Sequence, residues 1–544
     1  MLIGAVTNLV PWSGLGTTGL SRTTADAAAL IDSAVPASTA TAAAATSVTL
    51  GQGLAGVDAL VYAAPARLSA VAPVWEQRSN DAVSELMARN DAYRSLGSRF
   101  FGLGAAMLER FGAEATGDFS QAVVRLSADT PAADVPALAA AMQSDLHLQA
   151  DNRITLEIKT ASGATVRVSL GSQDEGLAVK LEISGGEPTD AERDALSQLA
   201  GAFQDAIDGL AGKPPKLALG GLMQFDTSVL SSVDFHASIQ LDGKTTQTVD
   251  FHADGEMRSV SASGPAGTVK VDVDLANSAI LGNARQQAQA LDRYLLQFDA
   301  AVTRGKGDAS LMALFKDAFS QMHRSEGASA ASTGRDASAM LMLNEADHSL
   351  LSGLADFSAS IVQVPQAVNP MRPDEMDTFS YKASQSTSVI GSDPRDRTIR
   401  QEQASTLSAS YHKALSPELT LMLTQAKESQ YYFFDQIEDS ARSSTEIAYR
   451  DGVVASAAIT QSAQRSTQTQ KYMMGRLEAD TTSGADVSRT WDLRELLRSL
   501  EKATLSRDPA ALRDRAQTLA GLEGLGVLQA DPGALQLKSA PVPG

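Results

Sequence analysis

RITLEIKTASGATVRVSLGSQDEGLAVKLEISGGEPTDAERDALSQLAGAFQDAIDGL, residues 153–210, decides how this chain is read. Ile154, Leu156 and Ile158 alternate with Thr155, Glu157 and Lys159; Val166, Val168 and Leu170 alternate with Arg167 and Ser169; Leu177, Val179, Leu181 and Ile183 continue the pattern. A period of two predicts three strands, each with one buried face. For Ile158 and Val166 to share that face, an odd number of residues must join them. Ala161, Ser162 and Gly163 supply three, with Gly163 in the left-handed position of a bulged turn. Thr189 and Glu192 then have the spacing of a capping box. The helix they open sets Leu196, Leu199, Phe203, Ile207 and Leu210 on one stripe, and Gly212, Pro214 and Pro215 end it. Hairpin-linked strands under an amphipathic helix predict the α+β class, with antiparallel sheets and packed helices.

Upstream, residues 1–75 are rich in Ala, Ser, Thr and Gly and read as a low-complexity, disordered arm. Residues 76–326 read as a helical lead-in, an α+β body and closing helices. Within that span, Val233 to Leu241, Val249 to Ala253, the stretch at Val260, and Val269 to Leu275 add four strands, and Ala284 to Val302 and Asp308 to Met322 are helices. Small residues at 327–335 read as a linker. Residues 336–480 read as a second, β-rich domain whose Ser, Thr and Gln content leaves helix open as the alternative between 379 and 475, and 481–544 as a helical pair with a tail. VLSSVDFHASIQL from Val229 is echoed by LLSGLADFSASIVQV from Leu350, which suggests a diverged repeat.

The absence of cysteine excludes disulfides, thiolate nucleophiles and Cys-ligated metal. A net charge of −19 across 544 residues argues against nucleic acid as a partner and leaves a protein partner or self-association. No apolar run is long enough to span a bilayer, and no basic n-region precedes the first apolar stretch, so a cytoplasmic location or export without a classical signal peptide is expected.

Chemistry is sparse. Of two GxGxxG matches, at Gly14, Gly16, Gly19 and at Gly51, Gly53, Gly56, the second lies between a short strand at Val48 to Leu50 and a short helix at Val57 to Ala63, but Pro65 ends that helix and no second strand leading to an acidic residue follows, so no cofactor is expected. A repeated Val-Asp-Phe-His offers Asp234, His236, Asp250 and His252 as candidate metal ligands. All four share the outward face if the turn between them holds an odd number of residues; a two-residue turn at Asp242-Gly243 would separate them. The competing reading is a solvated face with weak ion pairs. His147, His323, His348 and His412 read as exposed or capping side chains. Tyr431 to Phe434 would send one aromatic pair into a core and leave the other as a contact patch.

The run DNRITLEIKTASGATVRVSLGSQDEGLAVKLEISGG, with LMQFDTSVLSSVDFHASIQL and SGPAGTVKVDVDLANSAILGNARQQAQALDRYLLQFDAAVTRG, resembles a family of uncharacterised bacterial, pseudomonad-type proteins loosely labelled lactate dehydrogenase. The resemblance implies a bacterial origin and carries over no functional residue. A nicotinamide-dependent dehydrogenase of the lactate type needs a parallel, doubly wound sheet and a His acid/base beside a carboxylate-clamping Arg. Hairpin-linked strands point away from it. The sequence therefore favours a noncatalytic binding or structural protein over an enzyme assembled from distant residues.

Overall fold

The computed structural model describes residues 73–539 apart from 114–116, 213–214, 242–244 and 325–342. Both Gly-rich motifs and the 327–335 linker lie outside the described residues.

The three strands of the opening stretch are β3 (Asn152–Thr160), β4 (Thr165–Gln173) and β5 (Gly176–Ser184). The pairing of Lys159 with Thr165 leaves the odd connection, and Gly163 has φ 98°. The helix divides at Leu199 into α5 (Asp190–Gln198) and α6 (Ala200–Ala211). Thr189 and Glu192 close the capping box, and Glu192 also accepts from the amide and hydroxyl of Ser162, tying helix to hairpin. Burial works to raise the Glu192 pKa, but hydrogen bonds from Thr189 and Ser162 outweigh it and hold the carboxyl at about 2. The stabilisation from this clasp is thus present above pH 4.5 and fades only as pH falls towards 2.

Two strands precede it, β1 (Pro73–Trp75) and β2 (Phe119–Arg125), with helices α1 (Ala82–Asn90), α2 (Leu96–Arg99), α3 (Leu103–Ala113) and α4 (Val135–Gln149) around them. After it come β6 (Leu230–Gln240), β7 (Thr246–Asp254), β8 (Met257–Gly264) and β9 (Gly267–Asp274), then α7 (Ala284–Gly305), α8 (Ala309–Met322) and α9 (Glu345–Leu350). The remaining strands are β10 (Asp356–Gln363), β11 (Thr378–Asp393), β12 (Asp396–Ala414), β13 (Tyr432–Arg450), β14 (Val453–Met473) and β15 (Arg476–Asp492), and α10 (Arg494–Thr504), α11 (Pro509–Leu522) and α12 (Pro532–Leu537) follow. Residues assigned from sequence to the arm (Pro73–Trp75) and to the C-terminal helical pair (Thr481–Asp492) are strand instead.

All strands form one 15-stranded sheet in the order β1-β2-β5-β4-β3-β6, continuing to β15 in sequence order, with every pairing antiparallel. The Ser-, Thr- and Gln-rich segments are its longest strands. Asp451-Gly452 and Met474-Gly475, all at positive φ, make the tight two-residue turns that return β13 to β14 and β14 to β15.

Helices cover one face. Phe203 of α6 meets Phe235 edge-on at 6.2 Å between ring centres. The repeated strands β6 and β10 both turn their Phe, Ala and Ile (Phe235, Ala237, Ile239; Phe357, Ala359, Ile361) into that core. On the other face α4 packs, through Ala139 and Leu146, onto Ala122, Val124 and Ala178 at the β2–β5 end.

The sheet passes without a break from β9 to β10, Val269 opposite Ile361 and Val273 opposite Phe357. Tyr294 and Phe319, which precede residues 325–342, pack on Phe357, which follows them, at 5.2 and 5.0 Å. A protease site placed at 327–334 and cut in the folded protein will therefore leave two fragments that co-elute on native gel filtration and part only in denaturant. Separation without denaturant would restore two independent domains.

Candidate functional site: the polar sheet face

In β6 and β7, Val233, Phe235, Val249 and Phe251 are buried among the helices, so the residues between them point to the opposite face. Gln240 pairs with Thr246 and the Leu241 amide donates to the Thr245 carbonyl, so the connection between the paired positions has the odd count and both Asp-His pairs share a face. The register sets His236 across from Asp250 and Asp234 across from His252. His236 Nδ1 lies 2.6 Å from Asp250 Oδ1, and His252 Nδ1 lies 2.7 Å from Asp234 Oδ1 with its Nε2 3.2 Å from Asp254 Oδ2. The four candidate ligands thus form two separate cross-strand pairs. Among the described residues no three His, Asp or Glu side chains gather as a metal ion requires.

These pairs sit on the floor of an open groove of about 640 Å³, with His147 and Leu148 of α4 as one wall. Neighbouring charges are matched strand by strand: Arg167 Nε donates to Glu157 at 3.0 Å, Lys180 approaches Glu182 at 2.6 Å and Lys270 approaches Asp272 at 3.2 Å. His147 Nε2 meets Glu76 at 3.0 Å and the Ser120 hydroxyl at 3.2 Å. The surface is a lattice of self-satisfied charges.

Partial burial of His252 works to lower its pKa, but hydrogen bonds to Asp234 and Asp254 raise it above the usual 6.5. A raised value means that the stabilisation is full below pH 6.5 and is lost as pH climbs through the folded-state value. Changing both His236 and His252 to Ala is expected to cost less than about 1 kcal/mol, mostly on the acid side, with zinc or nickel leaving both melting temperatures unmoved. A metal-dependent rise in the parent alone would reinstate the metal site.

The remaining histidines depart from the exposed or capping reading in three cases, the first being His147, whose side chain is 15% exposed and held by Glu76 and Ser120. His412 has no exposed side-chain surface: Nδ1 lies 2.6 Å from Asp377, Nε2 lies 3.4 Å from Glu375, and Tyr432 donates to the same Glu375 oxygen at 2.7 Å. The carboxylates come from the 364–377 connection, folded over the ends of β12 and β13. The His412 ring packs at a tilt against Tyr432 and Phe434, and Tyr432 stacks on Tyr472, while Tyr431 stays 37% exposed, so the aromatic run splits by alternation. The sequence signal was the acidic run Asp374-Glu375-Met376-Asp377, which carries meaning only once the fold sets it beside His412. His348 is half-buried, and among the described residues its Nδ1 has no hydrogen-bond partner. His323 does cap a helix, with Nδ1 2.9 Å from the Phe319 carbonyl, and burial pushes its pKa down to about 4.

Comparison of the chain with protein-family models, curated proteins and solved structures found no match, and no family is assigned. Among the described residues no helix is long and apolar enough to cross a membrane.

Proposed function

We propose that this is a noncatalytic binding protein that takes an extended segment of a protein partner onto the free edge of β15. The observation carrying this reading is that β15 ends the strand order while Arg476–Asp486 is exposed on both of its faces. A row of backbone N–H and C=O groups is left to be paired by another strand. Among the described residues the opposite edge, β1, offers three. Glu478, Asp480 and Asp486 outnumber Arg476 along the exposed stretch, so a basic segment fits better than a second copy. The alternative, an enzyme built from distant residues, would call on His412, which is closed off from solvent, and a lactate-type dehydrogenase would call on parallel strands.

The test uses a labelled, alternating Lys-Thr peptide of about ten residues and fluorescence anisotropy. Successive strand residues direct their amides to opposite neighbours, so of Thr481→Pro and Thr482→Pro one blocks the outer edge and the other cuts the ladder to β14. Binding that weakens with salt and disappears in the variant that keeps the parent's melting temperature supports the reading. An absence of binding, or binding untouched by both prolines, rejects it.

A further inference from the structure

Between α7, the strands β11–β14 and residues 527–538 lies a cavity of about 650 Å³ that is separate from the polar groove and from the β15 edge. Its walls are mainly apolar, including Ala300, Leu407, Val527 and Leu528, and at its mouth Leu296 and Leu537 are 68% and 83% exposed. Four cationic side chains line it, Arg293, Arg304, Arg465 and Lys538, against two carboxylates, Asp439 and Asp531. That is a local excess of two positive charges in a chain of net charge −19.

The cations are unevenly answered. Arg304 grips Asp439, with Nη2 2.7 Å from Oδ1, and Arg465 lies 3.4 Å from Asp531 and, through Nε, 3.9 Å from Asp439. Arg293 and Lys538 reach backbone carbonyls, Gly524 for the first and Leu525 at 2.7 Å for the second. Among the described residues two buried donors on the lining, Arg465 Nε and Tyr381 Oη, and one buried acceptor, Gln297 Oε1, lack a hydrogen bond. Tyr381 is 3% exposed, and the Ser405 hydroxyl beside it does not complete a bond of normal geometry. Burial, with Arg293 nearby, also pushes the Lys538 pKa down to about 8. Apolar walls, unmatched positive charge and orphaned donors are together what an amphipathic anion satisfies.

We propose that this cavity binds a small organic carboxylate carrying an aliphatic chain, its head group held at Arg465 and Tyr381 and its chain laid between Leu296 and Leu537. The probe is decanoate, with decanol and decyltrimethylammonium as neutral and cationic counterparts, followed by melting temperature and calorimetry on the full chain. Decanoate is expected to bind saturably at concentrations up to about 10 mM and to raise the melting temperature, with neither counterpart doing so. Near pH 8 its binding will draw a proton onto Lys538, so the heat will vary with the ionisation enthalpy of the buffer. Arg465→Met is expected to weaken binding at least about tenfold by removing the charge-assisted hydrogen bond. Ala300→Trp, placed on an exposed position of α7, is expected to fill the cavity and abolish binding while circular dichroism stays unchanged. Equal shifts with decanol, no saturable shift with decanoate, or unchanged affinity in Arg465→Met would each overturn the proposal.

Discussion

Asp347→Leu will cost about 3–5 kcal/mol of unfolding free energy, because it strands a buried arginine. Asp347 is fully buried and lies 2.5 Å from Nη2 of Arg397, which is itself only 5% exposed. It also accepts from the Tyr449 hydroxyl at 2.8 Å and, closing a second capping box, from the Asn344 amide at 3.0 Å. Arg397 lies 4.1 Å over the Tyr449 ring, so one carboxylate fixes α9 to both β12 and β13. Adding Arg397→Met to the leucine variant should recover a large part of the loss, since two apolar side chains no longer leave a charge uncompensated. Urea titrations of the parent, of Asp347→Leu, of Arg397→Met and of the double variant measure this. A double variant no more stable than Asp347→Leu alone would show that the ion pair is not the source of the cost.

Gly526→Ala will destabilise by about 2–4 kcal/mol, whereas Gly521→Ala will change stability by less than about 1 kcal/mol. A Cβ on Gly526 would sit 2.2 Å from the Leu350 carbonyl oxygen and 3.0 Å from Thr445 Oγ1; one on Gly521 meets nothing within 4 Å. Backing away from that clash pulls residues 525–528 off the sheet. There the Gly526 carbonyl accepts from Gln403 at 3.0 Å and Ser443 at 2.8 Å, the Leu528 amide donates to Gln403 at 2.9 Å, and Gln461 donates to the Leu525 and Val527 carbonyls at 3.0 Å. Those side chains are buried, so each bond lost leaves a polar group without water. Digestion by carboxypeptidase should proceed past Leu528 in the alanine variant and stall before it in the parent. Equal stability for Gly521→Ala and Gly526→Ala would count against this strap.

The buried glutamines also explain where the sequence stopped being legible. The opening stretch spoke clearly because its inward positions are Ile, Leu and Val, its turn has the parity that the alternation demands, and Thr189 with Glu192 is a local signal. The same parity argument placed Asp234, His236, Asp250 and His252 on one face. It did not establish that each His would be taken by the carboxylate directly opposite. In β12 to β14 the inward positions include Gln401, Gln403, Ser443 and Gln461, whose partners lie far along the chain, so the apolar alternation is broken by polar groups that are nonetheless buried. Along Arg476–Asp486 both faces meet solvent, and no alternation was available to read. β2 hid for another reason: Ala122 and Val124 are covered by α4 while Val123 is covered by the main core, giving a continuous apolar run without a period.

The strand order has a consequence for how the molecule assembles. From β7 to β15 each strand pairs with the strand before it in the chain, so as synthesis proceeds each new strand finds a formed neighbour and closes a short loop in nearly every case. β2, which waits for β5, β6, which returns to β3, and the 525–528 strap break that rule. The strap is made after the glutamines and serine that receive it, and the backbone-to-backbone bonds of its amides are local, Leu525 to the Leu522 carbonyl and Val527 to the Gly524 carbonyl, which gives it no strand to pair along. Its docking can therefore be only a late event, and protection of the Leu528 amide from hydrogen exchange would time the completion of the sheet.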